Sequence, residues 1–170
     1  MTDKYTFRNI AGTIVCSAVL VTAGSALGKT LAVDATLYAT GEAADFHKGA
    51  GLTLRRSSMV AAHADNDTAS PLHLATYACS FVSHTITDAT APHLARVGVT
   101  GACLITDRVG DNLVTEWGRT PGESAGQWTV VRGSGKYAEA TGGGTYTLEF
   151  LAPQPKPQLR FLLDGEIVTP

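Results

Sequence analysis

The sequence predicts an all-β domain, a barrel or a sandwich, and three observations predict it. Eight or so runs of strand-like composition recur along the chain, and clusters of Gly, Pro, Asn, Asp and Ser separate them at short intervals. Apolar residues almost nowhere repeat with helical period. The third signal is punctuation: Gly133, Gly135, Gly142, Gly143 and Gly144 break up the second half, while Pro153, Pro155 and Pro157 interrupt it near the end. Proline donates no ladder hydrogen bond, so that stretch reads as a loop between the last two strands.

Taken in order, the first element is not a strand. Lys4 and Arg8 precede the uncharged run Ile10 to Leu27, and Ala26-Leu27-Gly28 supplies small residues where a signal peptidase reads. Residues 1–28 therefore read as a cleavable secretory signal, and residues 29–170 as one domain. Gly12, Thr13, Ser17, Thr22, Gly24 and Ser25 dilute the run, which argues for cleavage over a retained anchor. The expected location is periplasmic or secreted, with no membrane association after cleavage.

The strand candidates are residues 30–39, 51–60, 72–86, 94–106, 112–117, 126–131, 144–151 and 158–168. Residues 61–70 form a polar connection. Removal of the signal takes Lys4, Arg8 and Asp3, leaving 11 basic and 14 acidic side chains, a net charge of −3. A nucleic-acid partner calls for a basic patch, so none is expected. The 142 residues that remain suffice to bury a core.

Of three cysteines, Cys16 leaves with the signal. Cys79 and Cys103 remain as an even pair in an oxidising compartment, each within a strand candidate, and are expected to form a disulfide. Loop-entropy arithmetic gives such a bridge roughly 3 to 4 kcal/mol.

Several motifs dissolve in context. Gly122-Glu-Ser-Ala-Gly126 spells a hydrolase nucleophile elbow, but Pro121 precedes it and a strand candidate follows where a helix is required, so it reads as a hairpin turn. Gly133-Ser-Gly-Lys136 lacks the remaining residues of a phosphate loop and reads as a β-turn. Asp107 to Asp111 lacks the ligand pattern of a calcium loop. The histidines His47, His63, His73, His84 and His93 show no metal-site spacing and read as solvated loop residues; no metal and no cofactor is expected. Asn66-Asp67-Thr68 satisfies a glycosylation sequon on a polar loop, a weak pattern.

The stretch from Cys103-Leu-Ile-Thr-Asp107-Arg-Val-Gly-Asp111 through Trp117, Gly126-Gln-Trp128, Gly133-Ser-Gly-Lys136-Tyr137 and Gly142-Gly-Gly-Thr145-Tyr146 resembles the bacterial branch of the allene oxide cyclase barrel-like family, whose architecture is similar to that of dirigent proteins and lipocalins. The resemblance covers residues 72–147. It implies an eight-stranded antiparallel barrel whose lumen holds an apolar small molecule, with cofactor-free cyclisation or guided coupling as family activities. The plant cyclase's catalytic carboxylate has no counterpart in the first half of this chain, so the cyclase activity is not carried over.

Side chains alternate faces along a strand, so His73, Tyr77, Cys79 and Phe81 share one side of residues 72–86, and Leu74, Thr76, Ser80, Val82 and His84 the other. Trp117, Trp128, Tyr146 and Phe150 are candidates to stack on an aromatic or polyene ligand, with Arg55, Arg56 or Glu116 orienting its polar end. Three function classes remain. The first is a barrel that binds an apolar small molecule. The second is a cofactor-free cyclase, isomerase or lyase using Glu116, Tyr77 or His84 as acid or base. The third is an extracytoplasmic assembly protein, a homo-oligomer through exposed barrel faces.

Overall fold

A computed structural model describes residues 28–65, 68–88, 90–152, 156 and 158–170. Residues 1–27 of the expected secretory signal, with Cys16, together with Asn66 and Asp67 of the sequon and the three prolines of the last loop, lie outside the described residues. Eight antiparallel strands close into a barrel in sequence order: β1 (Lys29–Gly49), β2 (Leu52–Asp65), β3 (Thr76–Asp88), β4 (Ala91–Thr106), β5 (Asn112–Arg119), β6 (Ala125–Gly133), β7 (Thr141–Ala152) and β8 (Gln158–Thr169). Each expected run contains a strand, and closure of β1 on β8 decides for a barrel over a sandwich.

Alternation fixes the two faces. Val33, Ala35, Leu37 and Ala39 of β1 point inward, as do Met59 and Ala61 of β2, Leu113 and Trp117 of β5, and Leu159 and Phe161 of β8. A one-residue slip in any of these pairings would turn an apolar row out to water, so the buried face specifies the register.

The strands differ in height. β8 accompanies β1 only as far as the Thr40–Gln158 pair, whereas β1 continues beside β2 to Gly49. Pairing of β2 with β3 reaches Leu52–Ile86, and of β3 with β4 reaches Asp88–Ala91. β5 joins β4 only from Val99–Arg119 onward. The β1–β4 half of the wall thus stands above the β5–β8 half, and the mouth opens at the low side.

Four expectations need correction. Residues 72–75 are a turn, not the start of β3: Ala75 donates its N–H to Leu72 O, and Leu74 adopts φ 64°. Residues 61–65 continue β2 and are not part of the polar connection. Within that strand His63 is 1% exposed and not solvated, because its inward position places it in the core, where its Nδ1 shares a 2.7 Å hydrogen bond with the Tyr77 hydroxyl. Gly135–Tyr137 forms a 3₁₀ turn in place of a simple β-turn. The Gly122 segment is a turn as expected, with Gly122 at φ 94° and Glu123 N–H on Thr120 O.

Cys79 and Cys103 face each other across β3 and β4 and are bonded. A disulfide in the wall is compatible with an oxidising, extracytoplasmic setting. Among the described residues, no helix is long and apolar enough to cross a membrane.

Candidate functional site

The end where the chain segments 68–75, 107–111 and 134–140 lie between strands is sealed. Asp107 is 6% exposed and organises the β4–β5 turn: its Oδ1 accepts the N–H groups of Val109 at 2.9 Å and Asp111 at 3.0 Å, and its Oδ2 pairs with Lys136. Burial pushes the Asp107 carboxyl up, but Lys136 and the two backbone donors outweigh it and hold the group below the usual carboxylate range. Tyr137, 1% exposed, fills the space beneath, with the Lys136 ammonium 5.0 Å from its ring centre. Burial, then the charge of Asp107, raises the Tyr137 phenol well above its ordinary value. His63, Tyr77 and Leu72 complete the plug.

Above it lies a lumen of about 40 Å³, walled by apolar and aromatic side chains including Val33, Leu37, Cys79, Cys103, Trp117 and Tyr146. Space of that size admits a few waters and falls short of the roughly 300 Å³ of a small-molecule pocket. Its upper limit is an aromatic cluster. Trp117 meets Phe81 at 5.2 Å, Tyr146 at 5.5 Å edge-on and Phe161 at 6.1 Å edge-on, the offset and edge-to-face arrangements that ring quadrupoles favour. Tyr146 reaches this cluster by lying across its β6 partner Gly126, where a Cβ would fall inside the ring. Above the cluster the mouth forms a second space of about 100 Å³, bordered by Ser57, Phe81, Ser83, Phe150 and Leu159. Met59 lines both spaces, so an unbranched, flexible thioether separates bowl from lumen.

Two polar atoms in this apolar interior stand out. The Trp117 indole N–H and the Tyr146 hydroxyl are buried and have no hydrogen-bond partner among the described residues. Burial pushes the Tyr146 phenol up to about 12, with the positive charge of Arg119 pulling the other way, so the group is a neutral donor near pH 7. Trp128, by contrast, donates its N–H to Asp164 O at 3.2 Å and is committed to the wall.

The structure brings the expected aromatic residues Trp117, Trp128 and Tyr146 together inside the barrel and puts Phe150 at the rim, 71% exposed. Arg55 reaches the mouth but is bound to Asp45, its Nε donating at 2.6 Å; Arg55 and then Lys48 hold that carboxyl down at about 2. Arg56 lies exposed on the outer face. Glu116, Tyr77 and His84 do not converge. Glu116 is exposed outside β5, Tyr77 belongs to the plug, and His84 lies outside β3 across Gly98 against Pro121. No grouping of three or more His, Cys, Asp or Glu side chains suited to a metal occurs among the described residues.

Sequence reasoning missed Arg119 and Gly126. Both carried a signal: Arg119 shares its strand face with Leu113, Thr115 and Trp117, and Gly126 is the residue without a side chain beside an aromatic one. Comparison with protein-family models and with curated proteins finds no match for this chain.

Proposed function

We propose that this is an exported barrel of the allene oxide cyclase-like kind that binds an apolar, ring-bearing small molecule carrying a hydrogen-bond acceptor. The observation that carries the reading is the pair of unpartnered buried donors, Trp117 N–H and Tyr146 O–H, at an otherwise apolar lumen. A buried donor without a partner costs about 1–3 kcal/mol, a cost that an acceptor atom of a ligand removes. The ligand enters from the bowl by displacing Met59, and its ring joins the cluster of Phe81, Trp117, Tyr146 and Phe161. The chemistry on offer is binding and orientation by neutral donors. Export through residues 1–28 is part of the same proposal, and the Cys79–Cys103 bond supports it.

The test uses two probes of nearly equal shape, acetophenone and α-methylstyrene, with tryptophan fluorescence and calorimetry as readouts. Acetophenone is expected to bind about three- to tenfold more tightly, the worth of one net hydrogen bond. Trp117→Phe together with Tyr146→Phe should abolish the difference. Equal affinity of the two probes, or binding of neither, overturns the reading.

A specific observation favours a second reading, self-assembly. Outside β2, β3 and β4, Val60, Ala78 and Leu104 stand in one register row, with Val82, Leu52 and Ile86 above them. All but Ala78 are large exposed hydrophobics; Ser58, Ser80, Arg56 and Thr100 stand between the first row and the others, so the apolar surface centres on Val60, Ala78 and Leu104, and an exposed apolar row of this kind marks an interaction surface. Val60→Lys with Leu104→Glu should then convert an oligomer to a monomer in sedimentation; a wild-type chain that sediments as a monomer at high concentration sinks this second reading.

A further inference from the structure

We infer that Arg119 makes the low side of the mouth an oxyanion site, so that the ligand of the barrel is an aromatic acid with its ring toward the lumen and its carboxylate at the rim. This rests on the ligand-binding reading and narrows it.

Arg119 ends β5 on the face that buries Leu113, Thr115 and Trp117. Its Nε is buried and unpartnered, and the guanidinium makes no ion pair among the described residues. Glu123 lines the same groove at the rim as Arg119, with Val99 and Pro121. A permanently charged group held at the edge of an apolar interior without a counter-ion is unfavourable, and a bound anion supplies what is missing. Arg55, the other inward arginine at the mouth, is already neutralised by Asp45 at 2.6 Å.

Arg119 also acts electrostatically on Tyr146, so a permanent cation and a neutral hydroxyl donor serve one locality. A carboxylate suits both: guanidinium donates in a planar fork and the phenol donates one further bond. A flat ring entering the cluster would meet Trp117, Tyr146 and Phe161 edge-on or offset, as they meet one another, which favours an aromatic body over a flexible chain.

The decisive experiment compares benzoate with acetophenone on the full folded protein at low ionic strength. Benzoate is expected to bind about tenfold more tightly, since hydrogen bonds to charged groups are roughly twice as strong as neutral ones. Arg119→Gln should erase that preference; Arg119→Lys should restore part of it, and Arg55→Gln should keep it whole. If acetophenone binds and benzoate binds no better, the anion site is wrong and the ligand-binding reading stands. A preference that survives Arg119→Gln also overturns the assignment. Binding of neither probe removes both readings together.

Discussion

The two ends of this barrel spend their polar residues in opposite ways. At the sealed end, polar and charged groups mostly face one another: Asp107 accepts two backbone donors and pairs with Lys136, and His63 bonds Tyr77, while the Tyr137 hydroxyl, beside the Asp107 carboxylate, is buried outside normal hydrogen-bond geometry. At the mouth, Arg119, Tyr146 and Trp117 keep polar atoms buried with no partner among the described residues. A satisfied buried network rigidifies, and an unsatisfied one is costly unless something else completes it. The contrast separates a structural end from a receptive one, within one sheet and at a distance of a few residues along each strand.

Substitution at the two ends should therefore divide between stability and binding. Tyr137→Ala, which empties the plug, is expected to lower unfolding free energy by about 4 kcal/mol, as for other buried aromatic truncations; urea denaturation measures it, and a loss under about 1 kcal/mol would show that the plug is not structural. Acid should weaken the same end next. Because Asp107 titrates below its unfolded value of about 3.8, its contribution is fully present above that pH and disappears as pH falls through the lower folded value. The wild type should lose stability from about pH 4 downward, and Asp107→Asn, less stable at neutral pH, should show a shallower acid slope in the same titration. The smallest stability effect belongs to the mouth. Phe150→Ala should change stability by no more than about 0.5 kcal/mol, as exposed positions do, yet weaken acetophenone binding measurably; an unchanged affinity would remove Phe150 from the entrance.

How far the sequence could be read follows the same division. Strands whose one face is buried announced themselves by alternation, as Val33 to Ala39 did. The outer half of β1 did not: Gly41 to Gly49 has no core to face and pairs only with β2, so its composition carries no period and the expected strand stops near residue 39. Trp117, Trp128 and Tyr146 were readable as inward aromatics, and Cys79 with Cys103 as a bond, because composition and compartment suffice for those inferences. Tyr137 was hidden by its setting. A Gly-Ser-Gly-Lys turn looks like surface, and only the closed topology places its next residue under the barrel. Whether Arg55 or Arg119 faces a ligand depends on which arginine already has a carboxylate, and that is a fact of register: Asp45 lies opposite Arg55, whereas Val99 lies opposite Arg119.

Closure of the ring has a practical consequence. Lys29 pairs with Thr169, so the start of β1 and the end of β8 sit side by side at the sealed end, opposite the bowl. A linker, matrix or fusion partner joined at residue 170 grips the molecule by its base and leaves the entrance pointing outward. An immobilised form would then sample solution through the same opening as the free protein, with its handle at the opposite pole.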